Sequence, residues 1–203
     1  MSETFNSASQ NRFFIFNSKK DYLPWFLIIA VIVLSVLQLR NQSRVWWCQV
    51  GDYSPWSWAV WSPHNSQHVI DPYTFTHILH GILFFWIASL IFRKMPLAWR
   101  LLIAITVESA WEVVENTDMI INRYREATIS LDYFGDSIAN SIGDIVACAI
   151  GFIIAYELKF WRSLGLFLII EIILILTIND SLLINILMLI YPLEAIKAWQ
   201  TGG

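Results

Sequence analysis

Apolar residues gather in six long runs, at 23–39, 74–92, 97–116, 137–157, 160–178 and 182–199. Polar and charged side chains fill the stretches between them. A hydrocarbon core of about 30 Å takes roughly 17–25 residues of α-helix to cross, so each run has the length of a membrane span. The pattern predicts an all-α integral membrane helical bundle of about six transmembrane helices, formed by one domain over residues 23–200 after a polar tail at 1–22. The tail ends in Lys19, Lys20 and Asp21, and no small-x-small cleavage site follows the first run, so that run reads as an uncleaved span. Asn179-Asp180-Ser181 is a turn signal with an N-cap for the last run, and Tyr191-Pro192 kinks or ends it.

Cationic residues orient the bundle, because cytoplasmic loops carry the excess of Lys and Arg. With the N-terminus inside, Arg12, Lys19, Lys20, Arg93, Lys94, Arg100, Lys159, Arg162 and Lys197 all lie on the inner side. Only Arg40, Arg44, Arg123 and Arg125 lie outside. The expectation is N-in/C-in, with the long connections 40–73 and 117–136 facing outward. The first of these carries Trp46, Trp47, Trp56, Trp58 and Trp61. Indoles favour the headgroup region, so this loop either lies on the outer interface or forms a lid that grips an acyl chain or headgroup.

Composition agrees with a lipid solvent: of 203 residues, 57% are hydrophobic and 14% charged, against about 25% charged in soluble domains. The net charge of −3 excludes the basic surface that nucleic-acid binding requires. Cys48 falls in the outer loop and Cys148 within a span, so they cannot pair, and a disulfide framework or Cys-rich zinc site is excluded.

Against this apolar background the ionisable residues inside the spans stand out, since each costs roughly 2.5–3.5 kcal/mol to insert. Glu108, Glu112 and Glu115 fall on one helical stripe with Asn116 at its edge. Asp136, Asn140 and Asp144 form a second stripe beside Ser137 and Ser141, and His77 and His80 share a face of the second span. At about 1.5 Å per residue, the histidines lie roughly 5 and 9 Å below the outer ends of their helix. Glu115, Glu112 and Glu108 lie at roughly 2, 6 and 12 Å, and Asn140 and Asp144 at roughly 5 and 11 Å. One layer near the outer surface therefore holds all three groups.

Imidazoles and carboxylates together suit zinc, iron or manganese. Candidate metal ligands are His77, His80, Glu108, Glu112 and Asp144, with Glu112, Glu115 and Asp136 as candidate catalytic acids or bases on a metal-activated water. The alternative is a metal-free cluster whose hydrogen bonds hold the helices together. Arg123 and Arg125 could hold a phosphate or carboxylate at the mouth of the site, or pair with Glu126, Asp132 or headgroups. His64 and His68 could complete the ligand set or meet substrate from above, or be solvated loop histidines. Glu171 and Asn185 are read as packing hydrogen-bond partners.

Asn65-Ser66-Gln67-His68, His77 with His80-Gly81, Trp111-Glu112 with Glu115-Asn116, Arg123-Tyr124-Arg125, Ser130-Leu131-Asp132-Tyr133 with Gly135-Asp136-Ser137, Asn140-Ser141 with Asp144, and Tyr191-Pro192 resemble an uncharacterised family of small proteobacterial inner-membrane proteins. The resemblance spans about residues 46–200, is most specific from Arg123 to Asp136, and implies a multi-pass protein of the bacterial plasma (inner) membrane without an activity. A weaker similarity to VanZ-like membrane proteins rests on an early histidine followed by acidic residues in short spans, and fold-level analogy does not establish function. No P-loop, dinucleotide fingerprint, HExxH or GxSxG occurs. Three readings follow: a metal-dependent enzyme acting on a lipid or lipid-linked substrate at the outer face, a transporter whose carboxylates carry protons or a cation, and a scaffold. The transporter needs a pathway continuing inward, where only Glu171 lies at middle depth.

Overall fold

A computed structural model describes residues 19–127 and 133–200. Among these residues the chain is all-α, with seven helices: α1 (Lys19–Asn41), α2 (Thr74–Ile91), α3 (Leu97–Glu115), α4 (Asp118–Ala127), α5 (Ile138–Ile178), α6 (Leu182–Ile190) and α7 (Glu194–Gln200). α1, α2 and α5 are long and apolar enough to cross a membrane. α3 is long enough too, but it carries Arg100, Glu108, Glu112 and Glu115. Large apolar side chains point away from the bundle: Phe26 is 68% exposed, Leu90 65% and Leu176 76%. Glu108 and Glu112 are fully buried. A soluble monomer rarely exposes so continuous an apolar exterior.

α5 takes in two of the apolar runs, 137–157 and 160–178. Lys159 at φ 63°, ψ 176° breaks the helical path and divides α5 into two arms. The first arm runs alongside α2 in the same direction, with Gly143 beneath Val69 and Phe152 and Tyr156 against Phe85. The second returns antiparallel to α2, since the Trp86 indole donates to Ser163 Oγ at 3.0 Å and the Tyr73 hydroxyl to Asp180 Oδ2 at 3.1 Å. α1 and α3 also run together, from Trp25 and Ile28 packing on the Leu97 and Leu101 cluster to Gln42 Nε2 donating to Val113 O at 3.1 Å.

The sixth span is corrected. α6 has 9 residues, about 13 Å at the helical rise and half of what a crossing needs. Tyr191-Pro192 ends it, because proline has no N–H to continue the ladder. At its other end the Glu171 carboxylate accepts from Leu182 N at 3.0 Å and Leu183 N at 3.4 Å, which draws the start of α6 back alongside α5. Glu171 is thereby committed to a helix N-terminus, where an anion meets unpaired N–H groups and the positive end of the dipole. From there α6 rises to α4: Arg123 Nε donates to Leu189 O at 3.0 Å, and Lys197 of α7 reaches Glu126 O. The chain thus returns to the α4 side of the bundle, and residues 182–199 do not form the single long helix expected of a sixth span.

α2 and the first arm of α5 are in backbone contact through two glycines. A Cβ on Gly81 would lie 2.6 Å from Phe152 N and collide with Cys148 O, and one on Gly151 would lie 2.8 Å from Ile78 C. Gly81→Ala is therefore expected to destabilise the protein by about 1–3 kcal/mol or more through overpacking. Thermal unfolding in detergent checks it, and an unchanged midpoint would show that the two helices do not touch here.

Candidate metal centre

The close approach of α2 to α5 brings His77 opposite Asp144, and α3 closes the third side. His77 Nδ1 contacts Glu108 Oε1, lies 3.5 Å from Glu112 Oε1, and its Nε2 lies 3.8 Å from Asp144 Oδ2. His80 Nδ1 sits 3.1 Å from both oxygens of Glu108. The His, Glu and Asp stripes, on three different helices, thus do meet in one layer.

Three triads can be drawn through this layer, each with ligand atoms within 4.8 Å of one another: His77–His80–Glu108, His77–Glu112–Asp144 and Glu112–Glu115–Asp136. They share His77 and Glu112 and form a continuous chain of donors. Both Glu112 oxygens and Asp144 Oδ1 are buried without a hydrogen-bond partner. Unsatisfied buried carboxylate oxygens are costly. A cation would satisfy them, and the ligand chemistry of two imidazoles with carboxylates fits a borderline or hard divalent metal.

The outer end of the layer is organised differently. Asp136 accepts from Asn116 Nδ2 at 2.7 Å and from the Tyr133 hydroxyl at 2.9 Å, while its backbone N–H donates to Asn116 Oδ1 at 2.7 Å. Burial pushes Asp136 up to about 6 against those hydrogen bonds. Glu115 does not face the imidazoles. Its partners are Tyr124 and Trp111, with Asp136 nearby. Asn140 also turns away, its Nδ2 donating to His68 O at 2.8 Å.

Asp71 is a buried carboxylate of this layer that sequence reading missed. It accepts from Thr74 N at 3.0 Å at the start of α2 and lies 3.5 Å from Asn140 Nδ2. Burial raises it to about 6. The Asp71-x-x-Thr74 spacing was the available signal, since an Asp just ahead of an apolar run marks a helix start.

A cavity of about 370 Å³ opens beside the layer, within the range of small-ligand sites. His77, His80, Glu115, Asp136 and Asp144 form its polar wall, Arg123 also lines it, and Ile186 and Leu189 of α6 supply apolar lining. Arg125 and His68 do not line it. Arg125 donates to Tyr133 O at 2.6 Å and stacks on Phe134 at 4.9 Å, and the His68 ring turns toward the outer loop. Ser130, Leu131 and Asp132 lie outside the described residues.

Comparison with known proteins matches residues 39–202 to a family described as protein of unknown function (DUF2585). A UPF0314 protein of Sinorhizobium fredii is 46% identical over 88% of this chain and 92% of its own length. One from Rhizobium meliloti is 46% identical over 88% and 91%, and one from Paracoccus denitrificans 44% over 88% and 93%. No solved structure matches.

Asp71 and Asp136 are both held above their ordinary range, so each is protonated more readily in the folded state than in the unfolded one. Each contributes stability present below about pH 4 and lost as pH rises through about 6. In chelator-treated protein the melting temperature is expected to fall between pH 4 and pH 6.5, and Asp136→Asn is expected to flatten part of that fall. A midpoint that rises with pH over this window would contradict the burial of these carboxyls.

Proposed function

The chain belongs to the DUF2585 family, which carries no assigned activity, and on that premise we propose from its site that the protein is a metal-dependent hydrolase of the bacterial inner membrane. It acts on a lipid or lipid-linked substrate at the outer face. The observation that carries this reading is the sharing of His77 and Glu112 among three ligand triads, with both Glu112 oxygens buried and without partners.

The candidate ligands His77, His80, Glu108, Glu112 and Asp144 fall into two triads, His77–His80–Glu108 and His77–Glu112–Asp144, either of which would hold zinc, iron or manganese by ligand type. A divalent metal there would supply Lewis-acid chemistry, polarising an ester or phosphoester oxygen and activating water. Glu115 and Asp136, which line the cavity, would serve as the acid and base that move the proton between water and leaving group. Arg123, which lines the cavity, supports a phosphate or carboxylate of the substrate. The apolar lining from Ile186 and Leu189 supports an acyl or prenyl chain entering from the bilayer beside the short α6.

In this reading α1, α2, α3 and both arms of α5 cross the membrane, with the N-terminus inside. Lys19, Lys20, Arg93, Lys94, Arg100, Lys159 and Arg162 then sit on the cytoplasmic side, in agreement with the positive-inside rule. The exposed Trp46, Trp56, Trp58 and Trp61 rest in the outer headgroup layer.

The test couples metal content to turnover. Protein purified in mild detergent is expected to carry stoichiometric metal, lost in His77→Ala, and to hydrolyse a member of a panel of phospholipids and polyprenyl phosphoesters in mixed micelles. Glu115→Gln is expected to keep the metal and lower the rate by about 10²–10⁴-fold. Absence of metal from folded wild-type protein, after growth with zinc, iron and manganese supplied, would overturn the proposal.

A further inference from the structure

A second group of metal-ligating side chains lies outside the layer, in the Trp-rich connection between α1 and α2. His64 Nδ1 is 3.5 Å from Cys48 Sγ and 3.3 Å from His68 Nε2. Asp52 Oδ2 is 4.0 Å from both His64 Nδ1 and His68 Nε2. Four donors of three chemical kinds thus converge from two separated segments of one loop. Cys48 and His68 are buried, whereas Asp52 is exposed and free to move closer.

The spacing has a simple geometric meaning. With metal–nitrogen bonds of about 2.05 Å and metal–sulfur bonds of about 2.3 Å, the edges of a tetrahedral site are about 3.4 Å between nitrogens and about 3.6 Å between sulfur and nitrogen. The observed 3.3 and 3.5 Å are those edges. Asp52, 4.0 Å from both ring nitrogens, is the one donor that must swing inward to supply the fourth.

The tautomer is set as well. His68 Nδ1 lies 2.6 Å from Ser54 O, an acceptor only, so Nδ1 carries the hydrogen and Nε2 presents its lone pair to the cluster. A backbone carbonyl holding the far nitrogen in this way is the usual support of a metal-bound imidazole. Trp47 Nε1 donates to Asp52 O at 2.8 Å and fixes the turn that carries Asp52.

We propose that Cys48, Asp52, His64 and His68 form a tetrahedral site for a zinc-type divalent cation that clips the outer loop shut over the bundle. One thiolate, two imidazoles and one carboxylate are a borderline-soft set, unlike the harder layer around Glu112. The clip joins residues just after α1 to residues just before α2, so it restrains the span of loop bearing Trp56, Trp58 and Trp61. Its position is transmitted inward, because the His68 and Gln67 carbonyls accept from Asn140 Nδ2 at 2.8 Å and Ser137 Oγ at 3.1 Å at the start of α5.

Cobalt substitution in the purified full-length protein tests this without any assay of turnover. Cobalt bound to Cys48 produces a thiolate-to-metal charge-transfer band in the near ultraviolet, which nitrogen and oxygen ligands do not. The band is expected in wild type and in Cys148→Ala, to be absent in Cys48→Ser, and to be weakened in His64→Gln, whose side chain is 29% exposed. Where Cys48→Ser does not fold, maleimide labelling of Cys48 in Cys148→Ala protein decides, with zinc expected to slow it by at least about tenfold by holding the thiolate. Cobalt binding without the band, a band that persists in Cys48→Ser, or labelling indifferent to zinc overturns the proposal. Because Glu112→Gln removes a ligand of the deeper layer only, a band that survives in that variant keeps the clip separate from the proposed hydrolase centre.

Discussion

Everything in the site depends on how closely α2 approaches the first arm of α5. Gly81 and Gly151 remove the side chains that would hold the backbones apart, so His77 and Asp144 can bring ring nitrogen and carboxylate oxygen to 3.8 Å across the interface. Phe85 and Phe152 meet edge to face at 5.2 Å one turn further on, and Trp86 ties the returning arm through Ser163. Apolar packing on the inner half thus fixes the positions of polar groups on the outer half. In lipid, where apolar burial gives helices little reason to associate, small residues at the contact are what permit dispersion and hydrogen bonding to hold them.

That contact concentrates negative charge. Glu108 is compensated by two imidazoles, whereas Glu112 and Asp144 face each other and His77 with oxygens left without partners. A scaffold would be expected to satisfy such groups, since a half-satisfied polar network is worse for stability than an apolar one. The contrast with Glu171 is instructive: both of its oxygens accept backbone N–H groups of α6.

Much of this was legible in the sequence because insertion cost makes every intramembrane charge a signal. Helical spacing placed Glu108 with Glu112, and Asp136 with Asp144, on their stripes, and depth put them in one layer with His77 and His80. Spacing does not fix azimuth between helices, which is why Glu115 facing Tyr124 and Asn140 facing the His68 carbonyl were not foreseen. The sixth span failed because hydropathy does not register that Glu171 caps α6 or that Pro192 closes it after 9 residues. His64 and His68 were candidate ligands, but their convergence with Cys48 and Asp52 could not be read, because irregular backbone has no period from which to infer it.

The central claim is that the layer shared by α2, α3 and α5 is a metal centre. Anomalous scattering from crystals of the metal-loaded protein, recorded on both sides of the metal's absorption edge, tests it most directly. The account predicts a peak within about 2.0–2.3 Å of donor atoms from His77 and Glu112, with Glu108, His80 or Asp144 completing the coordination. A map with no anomalous density in that layer, and with the Glu112 carboxylate instead hydrogen-bonded to protein groups, would contradict it.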